Sequence, residues 1–255
     1  MAVVAAEREP PAVGASGRPA FYALAPGGWR DWWTLLHPPY TIWHLSYVVM
    51  GASLAPDVNL RWLGETLLAF FLAMGFAAHA LDELHGRPLG TRISRGTLIA
   101  VAAAGLAGAV ALGIDGMAEV SPWLGVFIVV GVSLVVAYNL ELFGGVVHSD
   151  LWFALAWGAL PVLTAYVAQT ARLSVAALVA AGACALLSAA QRVLSTPVRR
   201  LRRRVADVHG EIVASDGAIT PIDAETLKSA PEAALRILSL AVPLLALAML
   251  VAARV

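Results

Sequence analysis

The sequence predicts an all-α fold, a polytopic transmembrane helix bundle of about seven spans, on three observations. The 255 residues are 60% hydrophobic and only 13% charged, with a mean hydropathy of +0.77, whereas a soluble domain carries about 25% charged residues. Apolar runs of about 20 residues, the length that crosses hydrocarbon, recur from Trp32 to Ala253. The runs are rich in Ala, Gly and Val, with small residues such as Gly105 and Gly108, which suits close helix packing in lipid; no strand-rich pattern competes. Basic and acidic residues balance at 17 each, so the total charge argues for no nucleic-acid partner, and only its distribution is informative.

Residues 1–31 are rich in Ala, Pro, Gly and Arg, with no uninterrupted apolar core ahead of a cleavage site. They read as a disordered cytoplasmic tail rather than a secretory signal. The bundle of residues 32–195 holds six candidate spans: Trp32–Pro56, Trp62–His85, Thr97–Ile114, Val120–Leu140, Leu151–Ala171 and Leu173–Gln191. Short polar breaks separate them at residues 57–61, 115–121 and 169–172. The single cysteine, Cys184, has no partner for an internal disulfide and reads as a packing residue. Residues 196–236 form an insert that is long for a simple connection. Within it, β-formers around Asp216-Gly217 predict a small hairpin, and Asp223-Ala-Glu-Thr-Leu-Lys predicts a capped helical turn. Residues 237–255 supply the last helix, Ile237–Ala253.

Arginine placement predicts the orientation. With the N-terminus in the cytoplasm, the inner segments hold Arg8, Arg18 and Arg30, then Arg87, Arg92 and Arg95, then Arg199, Arg200, Arg202, Arg203 and Arg204. The outer segments hold Arg61, Arg172 and Arg254, beside the acidic Asp115 and Glu119. This is the positive-inside bias.

Five of the six histidines, His37, His44, His79, His85 and His148, lie in or at the ends of the first five spans. Ionisable groups in such places usually face the bundle interior. His79 stands one helical turn from Asp82 and Glu83, so the three can meet within about 6 Å. The segment Glu141–Asp150 can bring His148 and Asp150 to them. Imidazole with carboxylate can hold a cation or pass a proton; the plainer alternative is that these histidines hydrogen-bond between helices. His37 and His44 share a face two turns apart, about 10 Å along the axis. The basic run Pro197–Arg204 is first a topology signal, and its Arg forks can also recognise phosphate.

Three stretches together resemble the UbiA superfamily of intramembrane prenyltransferases, as a divergent member. They are Trp33–Gly51, similar to the family's opening helix; Ala77–Ser94, in the place of its first aspartate-rich motif; and Tyr138–Gly145 with His148-Ser-Asp150 and Trp157-Gly-Ala-Leu-Pro161. The resemblance covers about residues 33–204. It implies a helix bundle with a cavity open to the cytoplasmic side and to lipid, in which aspartate-rich motifs hold Mg²⁺ on the diphosphate of an isoprenoid as it leaves. Both motifs are degenerate here: Asp82 and Glu83 are followed by Gly86, and the second motif's place is taken by Gln191–Arg200 without an Asp. Glu141 stands where a basic residue is usual.

The leading expectation is prenyl transfer to, or cyclisation of, an isoprenoid or related lipid. His79, Asp82, Glu83 and Asp150 are the candidate catalytic residues, and His37, His44, Tyr138, Asn139, Arg87, Arg199 and Arg200 the candidate substrate contacts. The candidate metal ligands are His79, Asp82, Glu83, His148 and Asp150, for Mg²⁺ in diphosphate chemistry or for Zn, Fe or Mn in a His-ligated metalloenzyme. A non-catalytic lipid-binding or assembly protein on the same scaffold is the third reading.

Overall fold

The computed structural model describes residues 18–254, which are mostly helical. Helices α1 (Trp29–Leu36), α2 (Pro38–Ser53), α3 (Leu60–Leu84), α4 (Arg95–Glu119), α5 (Leu124–Asn139), α6 (Asp150–Thr170) and α7 (Val175–Arg203) come first. The hairpin β1 (Gly210–Val213) and β2 (Ile219–Ile222) and helix α8 (Ala224–Ala252) follow. Residues 1–17 of the expected tail lie outside the described residues. Its remainder is folded against the bundle, with Ala20, Tyr22 and Ala23 buried.

Five helices, α3, α4, α6, α7 and α8, are long and apolar enough to cross a membrane. This is the make-up of a multi-pass membrane protein, and the surface agrees. Ile99, Val129, Val179, Leu186, Leu240 and Leu247 all point outward, a surface that only hydrocarbon covers without cost. Helices α2 and α5 have 16 residues each, about 24 Å of helix, and fall short of a hydrocarbon core of about 30 Å. The first expected span is broken at His37, which adopts the left-handed conformation with φ 47° and ψ 53°. Pro38 disfavours right-handed helix in the residue before it and then starts a new helix at its own position.

Helix α2 is the centre of the bundle, packed mainly on α6 and α8. Trp43, Tyr47, Val48 and Ala52 have no exposed surface. Trp43 donates its indole N–H to the Tyr47 hydroxyl, and Cys184 of α7 packs into the same core beside Met50. Small residues set the closest approaches. A Cβ at Gly51 would lie 2.8 Å from the Val162 Cα, one at Gly105 2.6 Å from the Leu72 carbonyl oxygen, and one at Gly158 2.6 Å from the Ala185 Cα.

At the end of the bundle away from the histidines, the Gln169 side chain accepts from the Asn59 amide at 2.8 Å. There Arg61 pairs with Glu65, Asp115 and Glu119 at 2.7, 3.4 and 2.9 Å.

The expected insert is shorter as a non-helical segment, because helix runs into it from both sides. The basic run continues α7 to Arg203, where Arg is a good helix former and cations suit a helix C-terminus. Glu232 of α8 holds it there: Arg202 reaches this buried carboxylate at 2.7 Å and Arg236 at 3.0 Å. The hairpin forms where expected, with Gly210 opposite Ile222 and Val213 opposite Ile219. Gly217 turns it with φ 85°. Asp223 caps α8, accepting from the Thr226 amide at 2.7 Å and its hydroxyl at 2.8 Å.

Two outcomes follow. Gly51→Ala and Gly105→Ala each lower stability by about 1–3 kcal/mol through overpacking, measured by thermal unfolding in detergent, while Gly64→Ala, with open space around its Cα, does not. The amide of Thr226, then its hydroxyl, hold the Asp223 carboxyl below its usual range. Its contribution is therefore complete above the unfolded value and is lost as pH falls through the lower folded one. Hydrogen exchange at residues 224–228 should accelerate selectively below about pH 4, and Asp223→Ala should abolish that dependence.

Candidate functional site

The titratable side chains gather at one end of the bundle, where α1, α2, α3, α6 and α7 meet the loops after α3 and α5. Two of these helices widen into π-helical turns beside the gathering, α3 over Phe71–Ala78 and α6 over Leu155–Ala159. Such turns are frequent at functional sites. His79 follows the first directly, and its Nδ1 donates to the Gly75 carbonyl at 3.0 Å. That bond places the proton on Nδ1 and leaves the lone pair on Nε2.

The His79 ring stacks on the His37 ring, with centroids 4.3 Å apart and planes 15° from parallel. Tyr22, from the segment before α1, bonds through its hydroxyl to His37 Nδ1 at 2.6 Å. Burial pushes the Tyr22 phenol well above its ordinary pKa, so it bonds as a neutral hydroxyl. Deeper in the bundle His44 is 4% exposed. The Nε2 atoms of His37 and His44, the Gln191 Oε1 and the Tyr138 hydroxyl are buried with no hydrogen-bond partner among the described residues.

A second group adjoins the first. His148 donates Nδ1 to the Tyr138 carbonyl at 2.9 Å and stacks on the Tyr138 ring at 4.4 Å. Tyr138 lies 4.6 Å from Trp157, which stacks on Phe153 at 5.5 Å. The Arg192 guanidinium covers Phe153 at 5.2 Å and donates to Asp150 at 2.9 Å. Asp82 shares its surroundings with Arg199, Arg203 and His148. From Tyr138 the apolar wall continues into a groove of about 100 Å³ between α3, α4, α5 and α6, lined by Phe70, Met74, Val135, Trp157 and Leu160 among others.

The expected site residues divide between these groups and the loops. His37, His44, His79, Asp82, Tyr138, His148, Asp150 and Arg199 lie at the gathering. Glu83 does not: it has no exposed surface and accepts from the Leu89 amide at 2.9 Å, the Thr91 amide at 2.8 Å and the Thr91 hydroxyl at 2.9 Å. Arg87 belongs to the same loop and donates to the Thr91 and Ile93 carbonyls. Asn139 donates to the Val135 carbonyl of its own helix, and Arg200 is exposed. The five expected metal ligands do not converge, and among the described residues no three His, Cys, Asp or Glu side chains are placed to share an ion.

Tyr22, Gln191 and Arg192 were not foreseen in the site, whereas Arg203 belongs to the basic run expected to recognise phosphate. Arg192 had a signal: Arg192, Arg199 and Arg203 stand at i, i+7 and i+11 on one helix face.

Glu83→Ala should cost about 3 kcal/mol or more, because it strands two buried amides; thermal unfolding would record it, and Asp82→Ala, which breaks no such set, should cost less. Comparison with family models, with curated proteins and with solved structures finds no match to this chain.

Proposed function

We propose that the protein is a divergent UbiA-type membrane enzyme that acts on an isoprenoid diphosphate or a related lipid. In this reading seven helical segments form the bundle, its histidine end faces the cytoplasm in keeping with the arginine bias, and the reaction is prenyl transfer or cyclisation. One observation carries the proposal: an apolar groove adjoins, through Trp157, the group of Tyr138, His148 and Arg192. That arrangement matches a molecule with a long apolar chain and a charged head.

The acids present do not suit a pair of Mg²⁺ ions. Glu83 is consumed by its loop and Asp150 by Arg192, which leaves Asp82, while a diphosphate-bound pair needs several carboxylate oxygens. The guanidinium groups of Arg199 and Arg203, with Arg192 beside them, take up the head-group charge instead, by charge-assisted hydrogen bonds. As the diphosphate leaves, the ring of Trp157, which lines the groove, faces the positive charge on the carbon chain. His79 Nε2 keeps its lone pair and can accept the proton that a transfer or cyclisation releases.

Pyrophosphate release tests the proposal. Purified protein in detergent should release it from at least one prenyl diphosphate among chains of different length, and Arg199→Ala should slow release about 100-fold. Absence of release from every chain length would reject it. Stoichiometric Zn, Fe or Mn in the same preparation, lost in His79→Ala, would replace it with the metalloenzyme.

A further inference from the structure

The segment Arg18–Gly28 has no regular structure, yet its central side chain is among the buried ones: Tyr22 is 9% exposed and Ala23 0%. It lies across the end of the bundle where the histidines gather, and it touches four helices. On the side of α1 the attachments use its backbone. The Trp33 indole donates to the Tyr22 carbonyl at 3.1 Å, the Leu24 amide donates to Thr34 at 3.0 Å, and the Gly27 amide donates to Asp31 at 3.0 Å. On the far side two hydrogen bonds and one ring contact hold it. Arg203 donates to the Pro19 carbonyl at 3.2 Å, Arg202 to the Arg18 carbonyl at 3.5 Å, and the Arg236 guanidinium sits 5.1 Å above the Phe21 ring.

Between these attachments Tyr22 points inward. Its hydroxyl occupies His37 Nδ1 at 2.6 Å, and its ring meets Tyr40 edge-on at 5.4 Å and His37 at 5.3 Å. His37 Nε2 is itself buried, so both nitrogens of this ring are closed off while the segment stays down. At the base of the segment Gly27 and Gly28 have φ 127° and 61°, conformations that glycine reaches without strain and that suit a hinge.

We propose that Arg18–Gly28 is a hinged plug: Tyr22 closes the approach to the His37–His79 pair, the Arg202 and Arg203 contacts latch it, and it swings about Gly27–Gly28 to admit a ligand. The inference goes beyond the reading of the site as an isoprenoid enzyme and stands whichever molecule enters. The attachments give the motion its direction: opening breaks the contacts of Arg202, Arg203 and Arg236 and the Trp33 and Thr34 bonds at Tyr22 and Leu24, while the Gly27 amide on Asp31 holds the base of the segment.

Histidine acylation by diethylpyrocarbonate at neutral pH, mapped by mass spectrometry on the full chain in detergent, tests it without a substrate. His85 and His209 are internal standards for fast reaction, with side chains 51% and 85% exposed, and His44 is the sentinel for the bundle interior. In the unaltered protein His37 should react far more slowly than both standards. Tyr22→Phe, which loses the hydroxyl and keeps the ring, should speed His37 about fivefold. Tyr22→Ala should speed it about 30-fold, and Arg203→Gln should give an intermediate gain, with His44 unreactive throughout. Equal rates at His37 and His85 in the unaltered protein would show an open approach and overturn the proposal. So would a His37 rate that none of the substitutions changes. A joint rise of His37 and His44 would mean that the bundle loosens as a whole, and would overturn it as well.

Discussion

A carboxylate with no exposed surface must be answered by hydrogen bonds, and Glu83 is answered by the loop that it begins. Two backbone amides and one hydroxyl from Leu89 and Thr91 close on it. The loop needs this anchor, because Gly86, Arg87 and Gly90 all carry positive φ, at 81°, 51° and 65°. For Arg87 that conformation costs about 1–2 kcal/mol, which its bonds to the Thr91 and Ile93 carbonyls and the Glu83 set offset. The anchored loop delivers Ser94 to cap α4 through the Thr97 amide at 3.1 Å. The relation of α3 to α4, and with it the placing of His79, depends on one buried acid.

The same acid explains why the expected metal site does not assemble. His79 and Glu83 are four residues apart on a helix, near enough to share an ion in principle. Their side chains are drawn in opposite directions along the axis. His79 folds back toward the N-terminus onto Gly75, the ordinary lean of a helical side chain, while Glu83 is pulled forward onto the loop. Asp82 lies between them in sequence and takes part in neither set of bonds.

Much of the bundle was legible because hydrocarbon imposes its length on apolar runs: five of the expected spans fall on helices long and apolar enough to cross a membrane, and Asp216-Gly217 announced the hairpin through its turn chemistry. The departures have physical causes. Pro38 divides the first span at a residue that hydropathy treats as continuous. The end of an apolar run was also taken as the end of a helix, although helix propensity does not stop at the membrane boundary. Placing the end of the sixth span at Gln191 left Arg192 out of the row that it forms with Arg199 and Arg203 on one continuous helix. Tyr22 was invisible because an Ala-, Pro- and Gly-rich stretch carries no periodicity. The π-helical turns in α3 and α6 leave no mark in composition either.

A partly satisfied polar network inside an apolar bundle is less stable than apolar packing in the same space. Among the described residues, His44 Nε2, the Gln191 carbonyl oxygen, His37 Nε2 and the Tyr138 hydroxyl are buried without a hydrogen-bond partner at one end of the bundle. The neighbouring wall of Met74, Ala156 and Trp157 shows that the chain builds apolar packing a turn away. In the function proposed above, these are the groups that a molecule with its own donors and acceptors would satisfy, with its apolar part in the groove beside them.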